Sequence, residues 1–158
     1  MKKPNTLRRR ILRLGGLFGA GLAAKTVYAH HTETHFEDES AHKLVYQCNS
    51  ADHEYIDHIL FSCGEMLRKY GDDIEMVVAT FGPGIHLLGK RPGRGITRLQ
   101  QQRAESLNAY GVAFHVCGNT MKSLGWTESD LLEFARVVPI GVDDIMQLQE
   151  KGFAYLSW

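Results

Sequence analysis

From Lys43 onward the apolar residues fall into two alternating kinds of run, compact ones of strand length and longer ones spaced three and four apart. Lys43-Leu-Val-Tyr-Gln-Cys48 is the first compact run and predicts a strand, followed by Asn49-Ser-Ala-Asp52 as a loop and helix cap. Ile56, Ile59, Leu60, Cys63, Met66 and Leu67 then recur at helical spacing, on one face of a helix that ends near Gly71. Ile74-Glu-Met-Val-Val-Ala-Thr80 reads as a mostly buried second strand, interrupted by Phe81-Gly-Pro-Gly84. An irregular, glycine-rich and basic segment from Gly84 to Gly95 leads to an amphipathic helix over Arg98 to Tyr110. Val112, Phe114 and Val116, alternating between Gly111 and Gly118, predict a third strand enclosed in a sheet. Thr127-Glu-Ser-Asp130 has capping-box form with Asp in place of Glu and announces a helix from Thr127 to Phe134. A short strand over Arg136 to Ile140, a helix over Val142 to Glu150 ended by Gly152, and a strand over Phe153 to Ser157 complete the pattern.

Strands alternating with helices over five rounds imply an α/β domain, a three-layer α/β/α sandwich around a mainly parallel sheet of about five strands. Residues 43–158 suffice for one such domain and hold no internal repeat, and the periodicity leaves the strand order open.

The start of the chain follows another rule. Residues 1–29 divide into a basic start reaching Arg13, an apolar stretch from Leu14 to Ala24, and Val27-Tyr28-Ala29 with small residues where a signal peptidase cuts. That apolar stretch is too short to span a bilayer core of about 30 Å as a helix. Leu7-Arg8-Arg9-Arg10-Ile11-Leu12-Arg13 resembles a twin-arginine export motif, with Leu7 departing from the usual Ser or Thr before the pair. The expectation is export by the twin-arginine translocase to the periplasm. An ordinary secretory signal and an uncleaved anchor are the alternatives. Residues 30–42, with His30, His31, His35 and His42 among Glu33, Glu37, Asp38 and Glu39, are too polar to fold alone and read as a disordered leader. Their spacing matches no closed metal site, so no metal is expected.

Charge changes the picture once the signal is set apart. The whole chain balances 18 basic against 18 acidic residues. Lys2, Lys3, Arg8, Arg9, Arg10, Arg13 and Lys25 all lie in the signal, which has no acid, so its removal leaves 11 basic residues and a formal charge of −7. An acidic mature domain argues against nucleic acid as a partner.

The most chemical position is Cys117, at the carboxyl end of the third strand, where open α/β sheets bind ligands. Gly118, Asn119 and Thr120 carry the chain into a helix whose first N–H groups would stabilise a thiolate, with Asn119 and Thr120 as side-chain donors or simple caps. His115 shares the face of Cys117 by alternation and reads either as a proton acceptor or as a packed core histidine. Cys48 ends the first strand beside Asn49. Were that strand a neighbour of the third, a disulfide between Cys48 and Cys117 would become possible, against the alternative of an unpaired structural thiol. Cys63 lies on the apolar helical stripe and reads as core. Lys90, Arg91 and Arg94 among glycines, with His86 nearby, suggest an anion loop, though solvated charges or an oligomer contact explain them better. No Gly-x-Ser-x-Gly, Cys-x-x-Cys, His-Glu-x-x-His, P-loop or dinucleotide fingerprint occurs, so no cofactor is expected.

Phe81-Gly-Pro-Gly-Ile85, Leu107-Asn-Ala-Tyr-Gly-Val112, Cys117-Gly-Asn-Thr-Met121, Val138-Pro-Ile-Gly-Val142 and Leu148-Gln-Glu-Lys-Gly-Phe-Ala-Tyr155 follow in order over nearly the whole domain. In these segments the chain resembles the DsrE/DsrF-like group of sulfur-handling proteins, the Cys-x-Asn-Thr element after a Gly-Val strand being the most specific. The resemblance implies a small α/β subunit, assembled into oligomers, whose Cys117 carries sulfur as a persulfide in a sulfurtransferase or carrier role. Gly118, Asn119, Thr120, His115, Cys48 and Asn49 would then surround the sulfur. A sulfur donor and acceptor, either proteins or small sulfur species, would be the partners. The alternative is a non-catalytic module for ligand binding or oligomer assembly.

Overall fold

The computed structural model describes residues 40–158, so the expected export signal and the part of the expected leader before Ser40 lie outside the described residues. Five strands, β1 (His42–Cys48), β2 (Ile74–Thr80), β3 (Ala113–Cys117), β4 (Ala135–Val138) and β5 (Ala154–Leu156), form one parallel sheet in the order β4-β3-β2-β1-β5. β1 starts one residue before the expected Lys43, and His42 stacks on Tyr70 with ring centres 4.2 Å apart.

Register explains the layering. Val45, Val77 and Ala79 point to one face and pack with Ile145, Leu148 and Phe153, from α4 (Gly141–Glu150) and the turn that follows it. Tyr46, Cys48, Met76, Val78, Phe114 and Val116 point to the other face. There they meet α1 (His53–Tyr70) and α2 (Arg98–Ala109). The expected stripe is real, since Ile56, Ile59, Leu60 and Cys63 are the buried residues of α1. Each aliphatic side chain so buried contributes about 1.5–3 kcal/mol relative to exposure. Asp52 caps α1 by accepting the Tyr55 N–H at 3.0 Å. Thr97 and Gln100 form a full capping box on α2.

Two expectations change. The capping box at Thr127 forms, but it opens only a single 3-10 turn, Glu128–Asp130, and no helix reaches Phe134. The backbone beyond it is drawn elsewhere: Lys90 N–H bonds the Asp130 carbonyl (2.8 Å), Leu132 N–H bonds the Leu88 carbonyl (2.8 Å), and Gly89 bridges Leu131 antiparallel. These bonds to a distant loop replace the helical ones that local propensity favours. The segment after Phe81 is also more ordered than its glycines suggest. Gly82–Leu88 winds as a 3-10 helix that buries Ile85, Leu87 and Leu88, and the irregular stretch begins only at Gly89.

Candidate functional site

The carboxyl ends of β1, β2, β3 and β4 bring four loops to one edge, and Cys117 stands there at the junction of β3 and α3 (Gly118–Leu124). It is the N-cap residue of α3 and makes no side-chain cap bond there, so the sulfur stands at an uncapped helix start. On the other side the chain leaves β4 and enters α4 at Gly141. A Cβ added to Gly141 would lie 3.1 Å from the Cys117 Cβ and 3.2 Å from the Phe81 Cβ, so glycine is what lets this helix start approach the thiol.

Burial raises the Cys117 pKa. The Thr120 hydroxyl and the backbone N–H groups of Thr120, Gly141 and Asn119 outweigh it by donating to the thiolate, and hold the thiol below its ordinary range. Thr120 is oriented for this, because its Oγ1 already accepts the Gly82 N–H at 3.1 Å and keeps its own proton for the sulfur. Asn119 contributes through its backbone, with its side chain exposed. Gly118 begins α3 with its backbone against Val138 and Pro139, where an added Cβ would meet the Val138 carbonyl oxygen at 3.1 Å. Cys117 is 6 % exposed, a recessed thiol and not a sealed one.

His115 faces the same side of β3 as Cys117, as alternation requires, and is buried. Its Nδ1 lies 2.7 Å from Asp144 Oδ2. It lines a groove of about 560 Å³ between α4 and the sheet, whose rim at Val138, Pro139 and Ile140 runs up to Gly141. Cys117, two residues further along the same face of β3, does not line that groove.

The proposed disulfide is excluded. Cys48 pairs in register with Thr80 and Thr80 with Val116, which puts Cys48 on the face opposite Cys117 with β2 between their strands. All three cysteines are free. Cys48 under α1 and Cys63 on the inner face of α1 are fully buried in the core, and burial pushes both thiols up to about 12. Asn49 reaches the common edge, but its side-chain oxygen is 3.1 Å from the Tyr55 hydroxyl, and it approaches Gly82 only through its carbonyl. The basic loop is likewise tied to the body of the domain. Arg91 pairs with Asp130 at 3.5 Å, Lys90 donates to the Ser129 carbonyl, and buried His86 accepts the Gly93 N–H at 3.1 Å.

The site is therefore Cys117, Gly118, Asn119 and Thr120 together with Phe81, Gly82 and Gly141, which periodicity did not nominate. A glycine immediately after a short strand was the available signal for Gly141, but its partner is distant in sequence. Among the described residues no cluster of three or more His, Cys, Asp or Glu is placed to hold a metal.

Comparison with curated proteins gave no match. Among solved structures, a protein of unknown function from Methanobacterium thermoautotrophicum, MTH1491, superposes with a TM-score of 0.66 at 22 % identity, over 74 % of this chain and 99 % of that one. The ychN protein from E. coli gives 0.57 at 19 % identity over the same 74 % and 99 %. Both likenesses concern the fold. The profile of the DsrE/DsrF-like family matches residues 42–158, the whole of the folded domain, and the chain belongs to that family.

Proposed function

We propose that this protein is a sulfur carrier whose Cys117 accepts sulfane sulfur as a persulfide and hands it to a partner, after export to the periplasm. Membership of the DsrE/DsrF-like family supports a sulfur-relay role in general terms. The observation that carries the finer reading is the set of donors turned on one thiol, the hydroxyl of Thr120 and three backbone N–H groups. In the transfer, the Cys117 thiolate attacks the outer sulfur of a donor persulfide. A new S–S bond forms, the donor's S–S bond breaks, and the donor leaves as a thiolate; charge and oxidation level balance without a further reactant. Ile140, Val142 and Met146 are exposed beside the Gly141 start of α4 and offer apolar surface for the protein that delivers or collects the sulfur, or for a second copy of this chain.

The test is mass spectrometry of the purified protein after polysulfide, with thiols alkylated. A gain of about 32 Da, one sulfur atom, is expected on the Cys117 peptide, reversed by reductant and missing in Cys117→Ser. An unmodified Cys117 under conditions that persulfidate a small thiol would overturn the reading.

A further inference from the structure

Asp144 closes the first turn of α4, its N–H bonding the Ile140 carbonyl at 3.0 Å. Its carboxylate reaches across to β3 and meets His115 Nδ1 at 2.7 Å, the two side chains being 16 % and 6 % exposed. A carboxylate only accepts, so Nδ1 carries the proton and donates. The two ends of this link bracket Cys117. His115 is two residues before it on the same face of β3, and Gly141, whose backbone is packed on Cys117, opens the turn that Asp144 closes. Ile140 at the N-cap makes no side-chain cap bond, so α4 lacks the usual means of fixing its first turn.

We propose that the His115–Asp144 bond is a brace that fixes the first turn of α4 against β3 and thereby holds the Gly141 N–H on the Cys117 sulfur. His115 and Asp144 are positioning residues, acting on the thiol through Gly141. The brace rests on the reading of Cys117 as the reactive thiol, but not on what that thiol carries. The other charged groups around the pair are Asp143 and Lys151 of the α4 region, Lys43 of β1, Glu75 of β2 and Arg136 of β4, all lining the same groove.

The experiment is the pH profile of Cys117 alkylation by iodoacetamide, followed on its peptide, in the full protein and in Asp144→Ala, Asp144→Asn and His115→Phe. Circular dichroism and thermal melts report folding. The brace predicts that Asp144→Ala and His115→Phe move the midpoint of the profile up by about one pH unit, about tenfold less thiolate on its rising limb. Asp144→Asn, which still accepts from Nδ1–H, keeps the midpoint at or below that of the wild type. If the carboxylate acted only as a nearby negative charge, Asp144→Ala and Asp144→Asn would both lower the midpoint, and that result overturns the brace. Folded variants with an unmoved midpoint and a lowered melting temperature would reduce the pair to a structural contact and overturn it equally. Should Asp144→Ala fail to fold, His115→Phe decides by the same midpoint. The profile needs no persulfide, so a Cys117 that never takes up sulfur leaves this test intact.

Discussion

Cys117 and the pair Cys48 and Cys63 are the same side chain in two opposite settings within one domain. Cys48 beneath α1 and Cys63 on the inner face of α1 are sealed in the core, and with little to answer desolvation their thiols are pushed up to about 12. Cys117 is also largely buried, yet a hydroxyl and three backbone N–H groups reverse the sign of the shift. Burial alone makes a cysteine inert, and burial among oriented donors makes it a nucleophile. Cys48 and Cys117 both end strands at the same edge, and the difference lies in the face of the sheet that each takes. Cys48 packs under helices on one face, whereas Cys117 emerges on the other between the starts of α3 and α4.

The largest effect should be on alkylation. At pH 7 a thiol with a pKa of about 12 is ionised in roughly one molecule in 100,000, against a few per cent for an ordinary cysteine. Native protein treated with iodoacetamide should label at Cys117 at least about 1,000-fold faster than at Cys48 or Cys63, and the three should react alike in denaturant. Comparable native rates would erase the contrast.

Stability should divide the cysteines the other way. Cys48→Ser places a hydroxyl in a fully buried apolar site and should cost about 1–3 kcal/mol in urea denaturation, while Cys117→Ser, beside donors, should cost under about 1 kcal/mol. Equal losses would mean that the edge site is as unforgiving as the core.

Within the site, Thr120→Val removes the hydroxyl donor and leaves the Gly82 N–H without its acceptor. The midpoint of the Cys117 alkylation profile should rise by up to about one pH unit, with Thr120→Ser close to wild type. A Thr120→Val profile that overlays the wild type would take the hydroxyl out of the account.

The last contrast is the pH dependence of folding. Cys48 and Cys63 have folded pKa values above the unfolded value of about 8.5, so the folded state binds more protons there. Their contribution is intact below about pH 8.5 and is lost as pH rises toward about 12, by about 1.4 kcal/mol per pH unit for each thiol. Tyr46, pushed up to about 12 mainly by burial, adds to the same loss. Cys117 has the opposite sign. Its folded pKa is lowered, so its contribution is present above the unfolded value and disappears as pH falls through the folded one. Denaturation from pH 8 to 10 should therefore show a shallower alkaline decline in Cys48→Ala and Cys63→Ala, and a slightly steeper one in Cys117→Ala.

Local pattern made much of this protein legible. The alternation at Val112, Phe114 and Val116, the stripe from Ile56 to Leu67 and the caps at Asp52 and Thr127 depend on neighbours within a turn or two, so periodicity reports them directly. The failure at Leu131–Phe134 has a physical cause of its own, because the backbone bonds there go to Leu88 and Lys90, which no local window contains. By itself the sequence determined the α/β class, the placement of Cys117 at the end of a buried strand and the shared face of His115, since each follows from the two-residue repeat of a strand. Only the tertiary structure decided the strand order, the separation of Cys48 from Cys117 by β2, and the arrival of Gly141 and Asp144 beside the β3 edge. The last of these, with the place of β5 at the far edge, depends on α4 crossing one face of the sheet, a nonlocal choice made by packing Ile145, Leu148 and Phe153 against Val45, Val77 and Ala79.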